Sequence, residues 1–309
     1  MKTPLLLIAA LALLNVEAGA ATGRPRVVAT TTIVGDVVQA IGGPDIDLTT
    51  LLRPGLDPHT FEPAPRDAAA VAGADLLFIN GGGLETFLEP LVSANRQGKT
   101  PVVDLCEGLT LTECTDEHHG EPGHEHHAHG AEDPHVWLDP QRVIQWTRTI
   151  ERALAGRDPE HAAAYQQRAE AYRAELAWLD QWVLDQVAGL PEGQRHFVTD
   201  HDEFGYFAER YGFTITGALL PNVTTSAETS AREMATLEDR IRATGTRVLV
   251  IGAGVNPSLA SRVAHDTGLQ LVTLWTGSLS DPSGPAATYL AYMRHNVTTL
   301  LNALKADRP

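Results

Sequence analysis

Cysteine is almost missing from this chain of 309 residues: Cys106 and Cys114 are the only two. That is too few for a disulfide-framed scaffold or an all-thiolate metal site. Basic residues are scarce as well, 23 Lys and Arg against 39 Asp and Glu, which leaves a formal charge of −16. So acidic a surface argues against nucleic acid and anionic membrane as partners, and it concentrates cations around the protein. Beyond the first residues no apolar run reaches the length of a transmembrane helix. A His-Glu-x-x-His helix is absent too, and Gly81-Gly82-Gly83 stands without the lysine or the GxGxxG frame of a phosphate-binding loop.

What is present begins with Lys2, the apolar run Leu5 to Leu14 and the small residues Ala18, Gly19, Ala20 and Ala21. This reads as a cleavable secretory signal over residues 1–20. Lys2 and Glu17 cancel, so its removal leaves the charge unchanged. No cysteine closes the signal region, so export to the periplasm without a lipid anchor is expected. In an oxidising compartment Cys106 and Cys114 are expected to form one local disulfide, with a pair of thiolate ligands as the competing reading.

The rest alternates between two periods. Arg26 to Thr32, Ile46 to Leu52, Leu76 to Asn80 and Val102 to Leu105 read as strands, and Ile33 to Ile41, Arg66 to Gly73 and Leu84 to Ser93 as helices. After a helix over Gln141 to Ala155 comes the longest helical signal, with Asp158 as N-cap, Pro159 at the first position, and Gly189 and Pro191 as stops. Tyr165, Tyr172, Leu176, Leu179, Val183 and Val187 form its apolar stripe. Strands at His196 to Thr199, Thr214 to Ala218, Val248 to Ile251 and Gln270 to Leu274 then alternate with helices at Phe204 to Tyr211, Ser230 to Thr244, Pro257 to Thr267 and Ala286 to Ala306. The expected fold is α/β, two lobes with mainly parallel sheets joined by one long rigid helix. The lobes are set at residues 21–157 and 191–309, and the linking helix at 158–190.

Two short frames stand out against this pattern. Asp57-Pro58-His59 recurs as Asp133-Pro134-His135, and in each a proline fixes φ just before an imidazole. His201 follows the apolar run Phe197-Val198-Thr199, and Asp281 lies on a loop after Leu271 to Leu274. Three imidazoles and a carboxylate make a tetrahedral set for zinc, and all four sit on loops after strands, where open α/β sheets bind ligands. Between the lobes' elements, residues 113–133 carry His118, His119, His124, His126, His127 and His129 among acidic residues and glycines. That histidine-rich loop reads as an auxiliary, multi-site metal trap. Asp139 is a candidate for orienting a ligand histidine, and equally for capping the helix that follows.

The motifs Gly55-Leu56-Asp57-Pro58-His59-Thr60-Phe61-Glu62-Pro63, Asp133-Pro134-His135-Val136-Trp137-Leu138-Asp139-Pro140 and His201-Asp202-Glu203-Phe204-Gly205-Tyr206-Phe207 resemble the metal-specific solute-binding proteins of bacterial ABC importers. The resemblance covers essentially the whole mature chain. It implies two β/α lobes, a rigid linking helix, and a metal buried between lobes on His59, His135, His201 and Asp281. Members resembling manganese receptors tend to carry a carboxylate at the third position; His201 stands there in this chain, which with the histidine-rich loop points to Zn2+ rather than Mn2+. The run Ile251-Gly252-Ala253-Gly254 departs from the family in lacking an acidic residue that often follows this strand.

The function so implied is a high-affinity receptor that captures zinc outside the cytoplasm and hands it to an ABC permease and its ATPase. A periplasmic zinc metallochaperone is a further expected partner, and the receptor is expected to be a monomer without catalytic residues. Two alternatives stay open: a zinc-dependent hydrolase, in which Glu203 or Asp202 beside His201 acts as base, and a metal-buffering or adhesin protein without a transport role.

Overall fold

A computed structural model describes residues 23–86, 100–112, 132–226 and 228–306. The first sheet is built by β1 (Arg26–Ala29), β2 (Asp47–Thr50), β3 (Leu76–Ile79) and β4 (Val102–Asp104), in the order β2-β1-β3-β4 and parallel throughout. The second contains β5 (His196–His201), β6 (Thr214–Leu220), β7 (Val248–Gly252) and β8 (Gln270–Leu274), in the order β6-β5-β7-β8, again all parallel. The two orders are the same, so the second half repeats the first in architecture.

Side-chain alternation along the strands shows how both sheets are covered. Val27, Ala29, Leu76 and Phe78 face one core, while Val28, Leu77 and Ile79 face a smaller cluster with Leu51 and Val71. In the second sheet Phe197, Val248 and Val250 join the same large core, and Val198, Leu249 and Ile251 pack under the outer helices. One hydrophobic core therefore runs from sheet to sheet, and each sheet has its own outer layer.

The helices that fill the middle are α1 (Thr32–Gly42), α3 (Pro140–Arg157), α4 (Ala162–Ala188) and α8 (Tyr289–Lys305); α2 (Pro65–Gly73), α5 (Gly205–Tyr211), α6 (Ala231–Thr244) and α7 (Ser258–Thr267) complete the described set. The β-branched run that opens the first lobe is a strand only to Ala29, because the Thr31 hydroxyl accepts the Val34 amide at 3.1 Å and starts α1. At its far end Gly43 takes φ +58°, a left-handed turn that glycine makes without cost.

α4 is the long helix, 27 residues or about 40 Å at 1.5 Å per residue. It lies along α1, α3 and α8, and the stripe Tyr165, Tyr172, Leu176, Leu179, Val183 and Val187 is buried as its spacing requires. Its start differs from the sequence expectation: Pro159–His161 form a separate 3-10 turn, and Asp158 closes α3 while its carboxylate accepts the His161 Nδ1–H and the Tyr165 hydroxyl. Asp180, buried in the stripe, receives Gln141, Arg210 and Tyr211, which fixes α3 and α5 to the long helix. No helix of the described residues is long and apolar enough to cross a membrane. Residues 87–93 of the expected helix over 84–93 and the histidine-rich loop with His118, His119, His124, His126, His127 and His129 lie outside the described residues, as does the signal segment.

Candidate metal centre

The two Asp-Pro-His frames fold into the same local device. Asp57 Oδ1 accepts the His59 amide at 2.9 Å, and Asp133 Oδ1 accepts the His135 amide at 2.9 Å. Each aspartate thus closes a tight turn on the residue two further on, and the intervening proline removes backbone freedom. His59 sits in the 3-10 turn Pro58–Thr60, and His135 immediately precedes the 3-10 turn Val136–Leu138. The second frame is held by Asn80 at the end of β3, whose Nδ2–H donates to the Pro134 carbonyl at 3.0 Å, and by the Tyr206 hydroxyl on the Asp133 carbonyl at 2.8 Å. His201 is the last residue of β5, and Asp200 before it holds its amide at 2.8 Å.

These three histidines, 76 and 66 residues apart in sequence, converge. Nε2 of His59 and of His201 lie 3.2 and 3.3 Å from Nε2 of His135, and all three lie within 4.8 Å of one another. Donors on a tetrahedral zinc, with bonds of roughly 2.0–2.1 Å, are separated by about 3.3–3.4 Å, so the spacing matches. The hydrogen bonds on the far side of the rings decide which nitrogens face inward. Nδ1–H of His135 donates to Asp133 Oδ1 and Nδ1–H of His201 to Asp200 Oδ1, both at 2.8 Å, and a carboxylate can only accept. Both rings therefore turn an Nε2 lone pair toward the centre.

Bare lone pairs at that distance repel, while burial and the charge of neighbouring groups set how readily each ring takes up a proton. Burial and the neighbouring His135 and His201 push His59 down to about 2. His135 is lowered by burial against the opposing pull of Asp133. Burial would lower His201 also, but Glu203 and Asp200 outweigh it and push it up to about 9. One proton on His201 relieves part of the repulsion; a divalent cation at the centre relieves all of it.

The centre lies in a small cavity of about 10 Å³, room for a single water-sized sphere. Its walls come from the loop after β2 (Leu56 to His59), from His135, from His201 and Glu203 after β5, from Ala253 to Val255 after β7 and from Trp275 to Ser278 after β8. All are carboxyl ends of strands or the loops that leave them. The lobes touch around it: the Gly55 amide reaches the Ser278 hydroxyl at 2.6 Å and Thr225 donates to Asp57 Oδ2 at 2.5 Å. A cavity of this size has room for an ion.

Asp281 is not brought to this cluster. Its side chain is exposed, it is absent from the cavity wall, and its carbonyl closes a turn with the Gly284 amide at 2.8 Å. The carboxylate found in the wall beside His201 is Glu203, 1 % exposed, with Oε2 3.7 Å from His201 Nε2. Burial holds its pKa well above the usual carboxylate range against the opposing effect of His201. Asp139 does not orient one of the three histidines: its Oδ1 accepts the Gln141 amide at 2.9 Å, the N-cap of α3. The residues that orient the rings are Asp133 and Asp200 instead, and an aspartate one or two positions before each histidine was the signal for them. Among the described residues no disulfide is present; Cys106 is a free, buried thiol, and Cys114 lies outside them.

Comparison with known proteins shows what the chain as a whole is similar to. The family model of ZnuA, the periplasmic zinc-uptake complex component A, matches residues 27–303. The manganese-binding lipoprotein MntA of Halalkalibacterium halodurans is 30% identical over 280 residues, 90% of this chain and 88% of that protein. The metal ABC transporter substrate-binding lipoprotein FimA of Streptococcus parasanguinis is 28% identical over 97% of this chain and 95% of its own length. Among solved structures the periplasmic zinc-binding protein TroA of Treponema pallidum superposes with a TM-score of 0.82 at 28% identity, covering 92% of this chain and 100% of that one. The names of these relatives differ in the metal, and two of them are lipoproteins.

Proposed function

This chain belongs to the zinc-uptake component A family of metal-receptor proteins, and from that membership we propose that it is the zinc receptor of an ABC importer, with His59, His135 and His201 as its ligands. Members of the family are substrate-binding components of metal ABC transporters rather than enzymes, so the hydrolase alternative is set aside. The observation that carries the choice of zinc is the trio of Nε2 atoms at 3.2 and 3.3 Å. Imidazole-rich, closed, tetrahedral donor sets suit zinc, whereas manganese favours oxygen-rich octahedral ones.

The receptor captures Zn2+ outside the cytoplasm and presents it to a membrane permease driven by an ATPase. Residues 21–157 and 191–309 serve as the lobes and 158–190 as their strut. The histidines between 118 and 129 act as an auxiliary trap, and a zinc metallochaperone is a candidate donor. The relatives named as lipoproteins give no support to export without an anchor.

Metal content of the mature protein under a competing chelator, with zinc, manganese and iron offered together, tests the reading. One tight zinc is expected, surviving deletion of residues 118–129 and lost in His59→Ala or His201→Ala. Tight binding that disappears with the loop and persists in the histidine variants would make the protein a zinc buffer.

A further inference from the structure

A tetrahedral zinc needs a fourth donor, and three histidines leave that position to be filled. The walls of the cavity limit the candidates. The loop after β8 contributes Trp275, Thr276, Gly277 and Ser278, none of which carries a carboxylate. The Ser278 hydroxyl is committed, accepting the Gly55 amide and donating to the Leu279 carbonyl. Position 277 has no room for a side chain, since a Cβ there would lie 2.6 Å from Pro58 Cδ. Two carboxylates line the cavity, Asp57 and Glu203. Both oxygens of Asp57 are taken, one by the His59 amide and one by the Thr225 hydroxyl.

Glu203 differs. It is 1 % exposed, and its Oε1 has no hydrogen-bond partner. A carboxylate oxygen so placed is costly to bury unless something else satisfies it. Its other oxygen lies 3.7 Å from His201 Nε2, close to the separation of about 3.3–3.4 Å between donors on one tetrahedral ion. Asp200, His201 and Glu203 also present donor atoms within 4.8 Å of one another. His201 belongs to both this group and the histidine trio, so a small swing of the Glu203 side chain brings its carboxylate onto the ion that the histidines hold.

We propose that Glu203, not Asp281, is the fourth ligand of the bound divalent cation, completing a site of three imidazole nitrogens and one carboxylate oxygen. This rests on the metal-receptor reading of the same cavity. Glu203 arrives on the chain segment of His201, two residues on, so one strand end delivers two donors. Its charge also lowers the net charge of the loaded site from two positive to one, which eases burial of the ion.

The experiment uses the mature chain with Glu203→Ala, Glu203→Gln, Asp281→Ala and His201→Ala, zinc affinity by chelator competition, and the visible spectrum of the Co2+-substituted protein. Glu203→Ala is expected to lose about 100-fold or more in zinc affinity, beyond the roughly 10–100-fold that a supporting hydrogen-bond partner is worth. Its Co2+ bands, which report the donors on the ion, are expected to shift, while Asp281→Ala matches the parent in both readouts. A metal-free melting temperature near the parent's shows that each variant folds. An unchanged Co2+ spectrum in both Glu203 variants, or a loss in Asp281→Ala with Glu203→Ala intact, overturns the assignment. Retention of tight zinc in His201→Ala overturns the underlying receptor reading instead, so the two failures are told apart.

Discussion

Asp133 Oδ1 holds His135 twice, accepting its backbone amide at 2.9 Å and its Nδ1–H at 2.8 Å. Asp200 does the same to His201, at 2.8 Å for both bonds, and its second oxygen receives the Gly252 amide at 2.8 Å. One carboxylate therefore sets the position of each residue, the tautomer of its ring and the direction of its lone pair. An imidazole fixed in this way would lose little freedom on binding a metal, and the carboxylate makes it a stronger donor.

Replacing Asp133 or Asp200 by alanine should therefore weaken zinc binding by about 10–100-fold although neither touches the ion. Asn at either position keeps an acceptor for the amide but gives up the charge, and its loss should be smaller. Chelator competition on the four variants checks the order; equal affinity for alanine and parent would leave the aspartates no orienting role.

On the proposed reading, protons compete with the metal for the same lone pairs. Each imidazole that must shed a proton before binding makes affinity fall about tenfold per pH unit below its pKa, so binding weakens as pH falls. A clear loss of zinc affinity is expected at pH 6 and a larger one at pH 5. Unchanged affinity at pH 5 would count against histidine ligation.

Asp36 gives the opposite kind of pH dependence, one of stability. It accepts the Tyr289 amide at 2.8 Å, tying α1 to α8, yet burial pushes its pKa up from 3.8 to about 6. A raised carboxylate pKa means the unfolded chain gives up this proton more readily than the native one, so the group withdraws stability as pH climbs from about 4 to 6. Asp36→Asn keeps the acceptor and removes the charge. It should match the parent near pH 4 and exceed it by about 1–3 kcal/mol above pH 6.5, read by denaturant unfolding at several pH values.

The parts of this site that were legible in the sequence are those fixed locally. A proline and an aspartate within two residues of a histidine are enough to form the turn that presents His59 and His135, and the β-branched run before it delivers His201. The placement of Asp281 was not local. It depends on how the loops after β5 and β8 meet across the cavity, and residues 277–285, rich in glycine and proline, have no periodicity from which a register can be read. Asp281, four residues beyond the wall residue Gly277, points outward. Of the expected thiol pair only Cys106 lies among the described residues, as a free thiol facing the core beside Asn80 and Gly82. For the fold, the strands themselves and the buried stripe of α4 followed from periodicity. The division between Asp158 and α4 did not, since an N-cap signal is the same for a 3-10 turn and for the helix after it.

The run Ile251 to Gly254 shows how backbone shape, rather than a ligand, can control the metal. A Cβ on Gly254 would stand 3.0 Å from both the Gly55 carbonyl oxygen and the Asp57 amide nitrogen, and 3.3 Å from the Leu56 carbonyl carbon. These atoms are backbone and belong to the loop that carries His59, so they give way only by moving that loop. Gly254→Ala should shift His59 from the other two imidazoles by a few tenths of an ångström. Zinc affinity should fall about tenfold, or 1.4 kcal/mol, with all three ligands in place. The strain of the added methyl should also cost about 1–3 kcal/mol of folding stability. Zinc affinity and unfolding measured on the same variant separate the outcomes: a stability loss without an affinity loss would mean that the β7 end yields and the His59 loop holds its place.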